Sequence, residues 1–271
     1  MSGADLPAWS SAFEGLANLA PLPLGASARE WAWGGATGAG VKVAVVDSGV
    51  DGSHPAVGGV TSYLALARDG GAPGGIRYDG GPHEDVVGHG TACAGIIRTL
   101  APDVELYSVR VLGANLKGQG ALMLAGIEWA VAHDMHVVNL SLSSKSEAMF
   151  APLHAAADEA YFRGTTLVCA ANNVPGPTYP SQFASVISVA AKPGGDPWSL
   201  AYNPRPPVEF GARGIDVEVP WTGESGSIVA TGNSFAAPHV AGLAALIRSK
   251  HPDLTPFQLK SVLQAVSDNV G

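Results

Sequence analysis

Charge is scarce in this chain of 271 residues: Asp, Glu, Lys and Arg together make 14%, and the 15 Lys+Arg are scattered among 23 Asp+Glu for a formal charge of −8. With no basic run there is no electrostatic footprint for a phosphate backbone, which excludes nucleic acid as a partner. No stretch of 18 consecutive apolar residues occurs, and the start MSGADLPAWSS has neither the basic residues nor the apolar run of a secretory leader. A membrane partner is therefore not expected. Taken as written the chain is predicted to be cytoplasmic, and secreted only if it is a trimmed form. Cysteine is limited to Cys93 and Cys169, both in apolar stretches and without C-x-x-C spacing, so they read as buried free thiols of a reducing compartment.

Hydrophobic residues, at 46%, are plentiful, as are Gly (35) and Pro (20). That balance predicts one large domain with a substantial core and many tight loops. Short β-branched runs at 41–47, 104–112, 136–142, 165–171 and 185–191 have the continuous apolar character of strands buried on both faces. Helical patterns at 89–100, 120–133 and 151–164 alternate with them, and an apolar helix from 234 to 250 and an amphipathic one after Thr255-Pro256 close the chain. The alternation predicts an α/β fold of three layers, a mostly parallel central sheet with helices on both faces and a ligand site at the carboxyl ends of the strands.

Four polar positions fall at such ends. VAVVDSGVDGSHP places Asp47 where the first strand leaves the sheet, and GHGTACAG places His89 at a helix start between glycines. In ATGNSFAAPHVAG, Ser234 stands at the start of a helix, among backbone N–H groups that favour developing negative charge. CAANN carries an apolar strand into Asn173, an amide that can donate to an oxyanion or hold a turn. Taken singly, each also reads as a cap, turn or structural residue. Together they place a carboxylate, an imidazole and a hydroxyl where a proton relay needs them.

In the order Asp, His, Asn, Ser these motifs resemble the subtilisin-like serine peptidases, over about residues 22–271, with a GHGTxC feature similar to proteinase K-like members. The resemblance implies that Asp47 orients the imidazole, His89 is general base and then acid, Ser234 is the nucleophile and Asn173 the oxyanion donor. It further implies an extended peptide or protein substrate, paired as an added strand between Leu116, Lys117 and Gly118 on one edge and Ser141, Leu142 and Ser143 on the other. Residues 1–21 are then an N-terminal extension or short pro-segment.

Departures from the family pattern carry their own expectations. Asn233 stands where threonine is usual, and Phe235 where methionine is usual. Asn172, Ser143 and Thr178 stand at pocket glycines, which predicts a narrower, more polar first pocket. Ala56 replaces a calcium carboxylate and 89–100 runs directly into the next strand, so the tight family calcium site is expected to be absent, with room for a weak one elsewhere and no required cofactor. His54 and His239 match structural positions, and Cys93 reads as a small core residue. Serine endopeptidase is the leading function. A peptide ligase or macrocyclase, a dedicated precursor-processing peptidase and a non-hydrolytic peptide-binding module stand as alternatives.

Overall fold

The β-branched runs become the centre of a larger sheet than the sequence pattern outlines. In the computed structural model, which describes residues 28–113, 120–205, 207–223 and 226–270, the strands are β1 (Lys42–Asp47), β2 (Ser62–Arg68), β3 (Ile76–Gly80), β4 (Glu105–Arg110), β5 (Val137–Leu140), β6 (Thr166–Ala170), β7 (Ile187–Lys192), β8 (Leu200–Tyr202) and β9 (Phe210–Arg213). The hairpin of β10 (Val217–Pro220) and β11 (Ser227–Ala230) stands apart from them. The helices are α1 (Ala28–Trp33), α2 (His89–Leu100), α3 (Gly120–Ala132), α4 (Phe150–Phe162), α5 (Asn233–Lys250) and α6 (Pro256–Ala265). The expected N-terminal segment 1–21 and the cleft residues Leu116, Lys117 and Gly118 lie outside the described residues.

The sheet order is β3-β2-β4-β1-β5-β6-β7-β9-β8, parallel from β2 through β9 and antiparallel only at the two edges. The chain fills one side of β1 through β2 and β4, then the other through β5, β6 and β7. The carboxyl end of β1 is thus where the winding reverses, the place at which open α/β sheets form a crevice.

Both faces of β1 are covered, which is why its sequence shows no polar alternation. Val43 and Val45 enter the core shared with α1, α2, α5 and α6, while Ala44 and Val46 enter the core shared with α3 and α4. Helix α2 is apolar nearly all round because it has two partners: Cys93, Ala94 and Ile97 face the sheet, and Ala92 and Ile96 pack beneath Val217 and Val219 of the hairpin. At α6, Thr255 and Gln258 form a reciprocal capping box, with Pro256 in the first turn. Among the described residues no helix is long and apolar enough to cross a membrane.

Inside α5, burial holds the His239 imidazole down to about 4, with its ring nitrogen Nδ1 2.9 Å from the Phe235 carbonyl one turn earlier. Unfolding releases this histidine to an ordinary value near 6.5, so the unfolded chain takes up the proton first as pH falls. His239 should therefore remove on the order of 3 kcal/mol of stability between pH 6.5 and 4 and add no slope above that window. Urea unfolding of wild type and His239→Gln at pH 7, 5.5 and 4 measures the difference; parallel pH curves for the two proteins would refute it.

Candidate active site

Asp47 ends β1 with no exposed surface and His89, 8% exposed, opens α2 directly above it. His89 Nδ1 lies 2.8 and 2.9 Å from the two Asp47 carboxylate oxygens, and the Ser48 backbone N–H donates to one of them at 2.7 Å. An ionised carboxylate shut away from water needs such donors. Burial alone pulls the His89 imidazole down, but the adjacent Asp47 charge outweighs it and holds the ring well above its ordinary 6.5.

The approach of the two elements depends on Gly90. A Cβ on that residue would lie 2.0 Å from the Gly49 carbonyl oxygen and 3.2 Å from the Asp47 Cβ, so a larger side chain would drive the start of α2 away from β1. The first turn of the helix is held by a second buried carboxylate, Asp85. It accepts from the Val87, Gly88 and Thr91 N–H groups and from the Ser48 and Thr91 hydroxyls at 2.6–3.0 Å, satisfying donors that a helix start leaves open and matching the positive end of its dipole. Sequence reasoning missed Asp85, although an acid four residues ahead of His89 is a recognisable helix-start signal.

Ser234 lies in the first turn of α5, and the local sequence explains how that turn is attached. Pro238, one turn on, has no N–H, so the Ser234 carbonyl lacks its helical donor. The Ser141 hydroxyl donates to it at 2.8 Å, with the Cys93 thiol at 3.7 Å, and the buried Asn139 amide of β5 in turn donates to Ser141 at 2.9 Å. A line of hydrogen bonds thus ties the nucleophile's backbone to the sheet. The Cys93 thiol is pushed up by burial and stays protonated, within reach of Asp47 and Ser141. Asp47, His89 and Cys93 form the one group among the described residues whose ligand atoms lie close enough together, within 4.8 Å, to hold a metal. Two of its three members already bond to each other.

His89 and Ser234 line one cleft of about 410 Å³, together with Ser141, Leu142, Ser143, Asn172 and Asn173. The Phe235 ring, next in sequence to Ser234, sits 5.3 Å from the His89 ring. Asn173 is at the cleft mouth. Its Oδ1 accepts from the Asn233 N–H at 2.8 Å, which leaves Nδ2 to face the site; a Cβ on Gly232 would stand 3.4 Å from that nitrogen and 3.3 Å from the Ser234 hydroxyl. Asn172 and Ser143 both line the cleft and are bonded to each other, with Asn172 Nδ2 donating to the Ser143 hydroxyl at 3.3 Å. Thr178 is placed differently from the sequence expectation: it is buried behind Asn172, accepting its N–H at 3.0 Å and pairing with the Ser181 hydroxyl, and it does not line the cleft.

Trp221, another cleft residue that sequence reasoning missed, lies flat on Gly88, where a Cβ would come within 2.7 Å of its ring. Its loop is braced by His54, whose Nε2 donates to the Gly226 carbonyl at 2.9 Å. A larger cavity of about 530 Å³ lies between α4, α6 and the opposite ends of β6 and β7. No histidine lines it, and its lysine, Lys260, is engaged by Glu209 and by the Ala184 and Val186 carbonyls. Of the two, the smaller cleft is the one lined by a histidine, His89.

Comparison with known proteins follows the same lines. The sequence profile of the subtilase family (peptidase S8) matches residues 38–270. A thermostable alkaline protease of Halalkalibacterium halodurans is 34% identical over 250 residues, and subtilisin E of Bacillus subtilis 33% over 254; each alignment covers 88% of this chain and 64% or 63% of the relative, so the chain spans somewhat less than two thirds of their length. A subtilisin of Bacillus pumilus is 33% identical over 254 residues, covering 88% of this chain and 87% of its own. Among solved structures, a cold-adapted subtilisin-like serine proteinase superposes with a TM-score of 0.68 at 26% identity, covering 85% of this chain and 83% of that one.

Proposed function

Because the chain belongs to the subtilase family, we propose that it is a serine endopeptidase with Ser234 as nucleophile, His89 as general base and acid, and Asp47 as the group that orients and charges the imidazole. The observation that carries this reading is the buried Asp47–His89 pair, 2.8 Å apart, opening into the cleft that Ser234 lines. Asp47 occupies Nδ1 and leaves Nε2 as the basic nitrogen. As the hydroxyl adds to the scissile carbonyl, its proton passes to His89, and the imidazolium formed is stabilised by the carboxylate beneath it. Asn173 Nδ2 and the Ser234 N–H at the start of α5 receive the oxyanion. His89 then protonates the leaving nitrogen; water, deprotonated by the same imidazole, attacks the acyl group, and the proton passes from His89 to the departing Ser234 oxygen. The scheme needs no cofactor. Ala56 offers no carboxylate at the expected calcium position, and residues 101–104 join α2 directly to β4; both features favour a chain without the tight calcium site.

The substrate in this reading is an extended polypeptide whose backbone pairs beside Ser141, Leu142 and Ser143, with Leu116, Lys117 and Gly118 as the opposite edge. The Asn172–Ser143 hydrogen bond crosses the pocket nearest Ser234 and Asn173. A large aromatic side chain entering there must break it and leave two polar groups without partners.

A fluorophosphonate should label wild type on Ser234 and leave Ser234→Ala unlabelled; equal labelling of both would exclude Ser234 as nucleophile. Only the neutral imidazole accepts a proton, so the raised His89 value places the acidic limb of kcat/KM above pH 6.5, with activity rising through it. A limb centred at or below 6.5 in a pH–rate profile would contradict the assignment. In a peptide panel varied only at the residue before the cut, small and polar side chains should exceed Phe and Tyr in kcat/KM. The Asn172→Gly, Ser143→Gly double variant should raise cleavage after Phe about 10-fold or more. Preference of the wild type for large aromatics would count against the bridged pocket.

A further inference from the structure

Asn233, next to the nucleophile, commits both ends of its side-chain amide to backbone. Its Oδ1 accepts from the Ala191 N–H of β7 at 2.9 Å, and its Nδ2 donates to the carbonyls of Ala171 and Asn172 at 3.1 and 3.2 Å. Its own N–H holds the Asn173 side chain at 2.8 Å. One residue therefore joins three separate segments: the start of α5, the carboxyl end of β7 and the loop after β6 that carries Asn173. Asn173 itself is exposed, and beyond the Ala171 N–H bond to the Val189 carbonyl its loop leaves the sheet, so its side-chain oxygen depends on the Asn233 N–H. A threonine hydroxyl, with one donor, cannot serve an N–H and two carbonyls at once.

We propose that Asn233 is a positioning residue, whose amide clamp sets the separation between the Asn173 amide and the Ser234 hydroxyl and acts on turnover, not on substrate binding. This rests on the reading of Ser234 as nucleophile and Asn173 as oxyanion donor. The physical reason is geometric. A donor that stabilises a tetrahedral adduct must be in place before the charge develops, and a displacement of about 1 Å at such a site costs on the order of 100-fold. The bonds to Ala171 and Asn172 act on the two residues immediately ahead of Asn173, so losing them detaches this loop from the start of α5, while the Ala171 bond to Val189 and the Asn172 bonds to Thr178 and Ser143 still hold it elsewhere, and no group that touches substrate is removed.

The test is a double-mutant cycle of Asn233→Ala with Asn173→Ala, measuring kcat, KM and the inhibition constant of a peptidyl boronic acid, with fluorophosphonate titration counting intact sites. Asn233→Ala should lower kcat about 10- to 100-fold with KM within about 2-fold, and should weaken the boronic acid by the same factor. In the Asn173→Ala background the same substitution should cost less than about 3-fold, because the donor it positions is already gone. Asn233→Asp sets a carboxylate oxygen against two carbonyls and should lose more than Asn233→Ala. Asn233→Thr keeps one bond and should recover part of the loss. If Asn233→Ala does not fold, Asn233→Thr and Asn233→Ser carry the same cycle.

Equal losses in the two backgrounds, a loss carried by KM, or unchanged kcat would overturn the proposal. Full activity of Asn173→Ala alone would overturn it through the oxyanion assignment, and so separates that failure from a failure of the clamp.

Discussion

A carboxylate with no access to water can remain ionised only if donors are built around it, and Asp47 meets that requirement with the Ser48 N–H and the His89 ring. Most of the upper half of the molecule can be understood as what this pair needs. The ring must reach the carboxylate, so α2 must begin within contact distance of β1, and only glycine at position 90 permits the approach. The helix start must then be held without a side chain at its own cap, since Gly88 has φ +110° and carries the flat face of Trp221. Asp85 takes over that task from outside the helix. Its bond with the Ser48 hydroxyl links it to the residue that also serves Asp47, so the two buried acids form one connected structure.

The nucleophile is attached by a different device. Proline inside a helix costs a hydrogen bond, and in α5 the carbonyl it releases belongs to Ser234 itself. That carbonyl becomes the point at which Ser141, with Asn139 behind it, fastens the helix start to β5. Asn233 does the same toward β6 and β7. The first turn of α5 is therefore bonded to three neighbouring strand ends. Parallel strands side by side present their carboxyl ends together, and this makes such bonding possible.

Much of the framework was legible in the sequence because its cause is local or periodic. The five β-branched runs became β1, β4, β5, β6 and β7, and α2 spans the expected residues, since a strand buried on both faces and a helix with two apolar partners need continuous apolar sequence. Thr255 and Pro256 start α6 as read, because capping is decided within four residues. The outer strands β2 and β9 with the edge strands β3 and β8 beside them, the hairpin and α1 were not anticipated. They are short or partly polar, and they owe their conformation to pairing and packing with distant chain. Thr178 shows the same limit on a smaller scale: a position in a pattern identified it, but its depth behind Asn172 is set by the antiparallel contact of Ser144 with Tyr179.

By itself the sequence determined the fold class, the strand-end placement of Asp47, His89, Asn173 and Ser234, and the family to which they point, because these follow from hydrophobic continuity and from residue types at short spacing. Tertiary structure alone decided which atoms meet. The Asp47 charge that raises the His89 imidazole, the Asp85 anchor, the use of the Ser234 carbonyl freed by Pro238, the Asn172–Ser143 bridge and the Asn233 clamp all join groups remote along the chain. Their strength depends on distance, orientation and exclusion of water, quantities that exist only once the layers have packed.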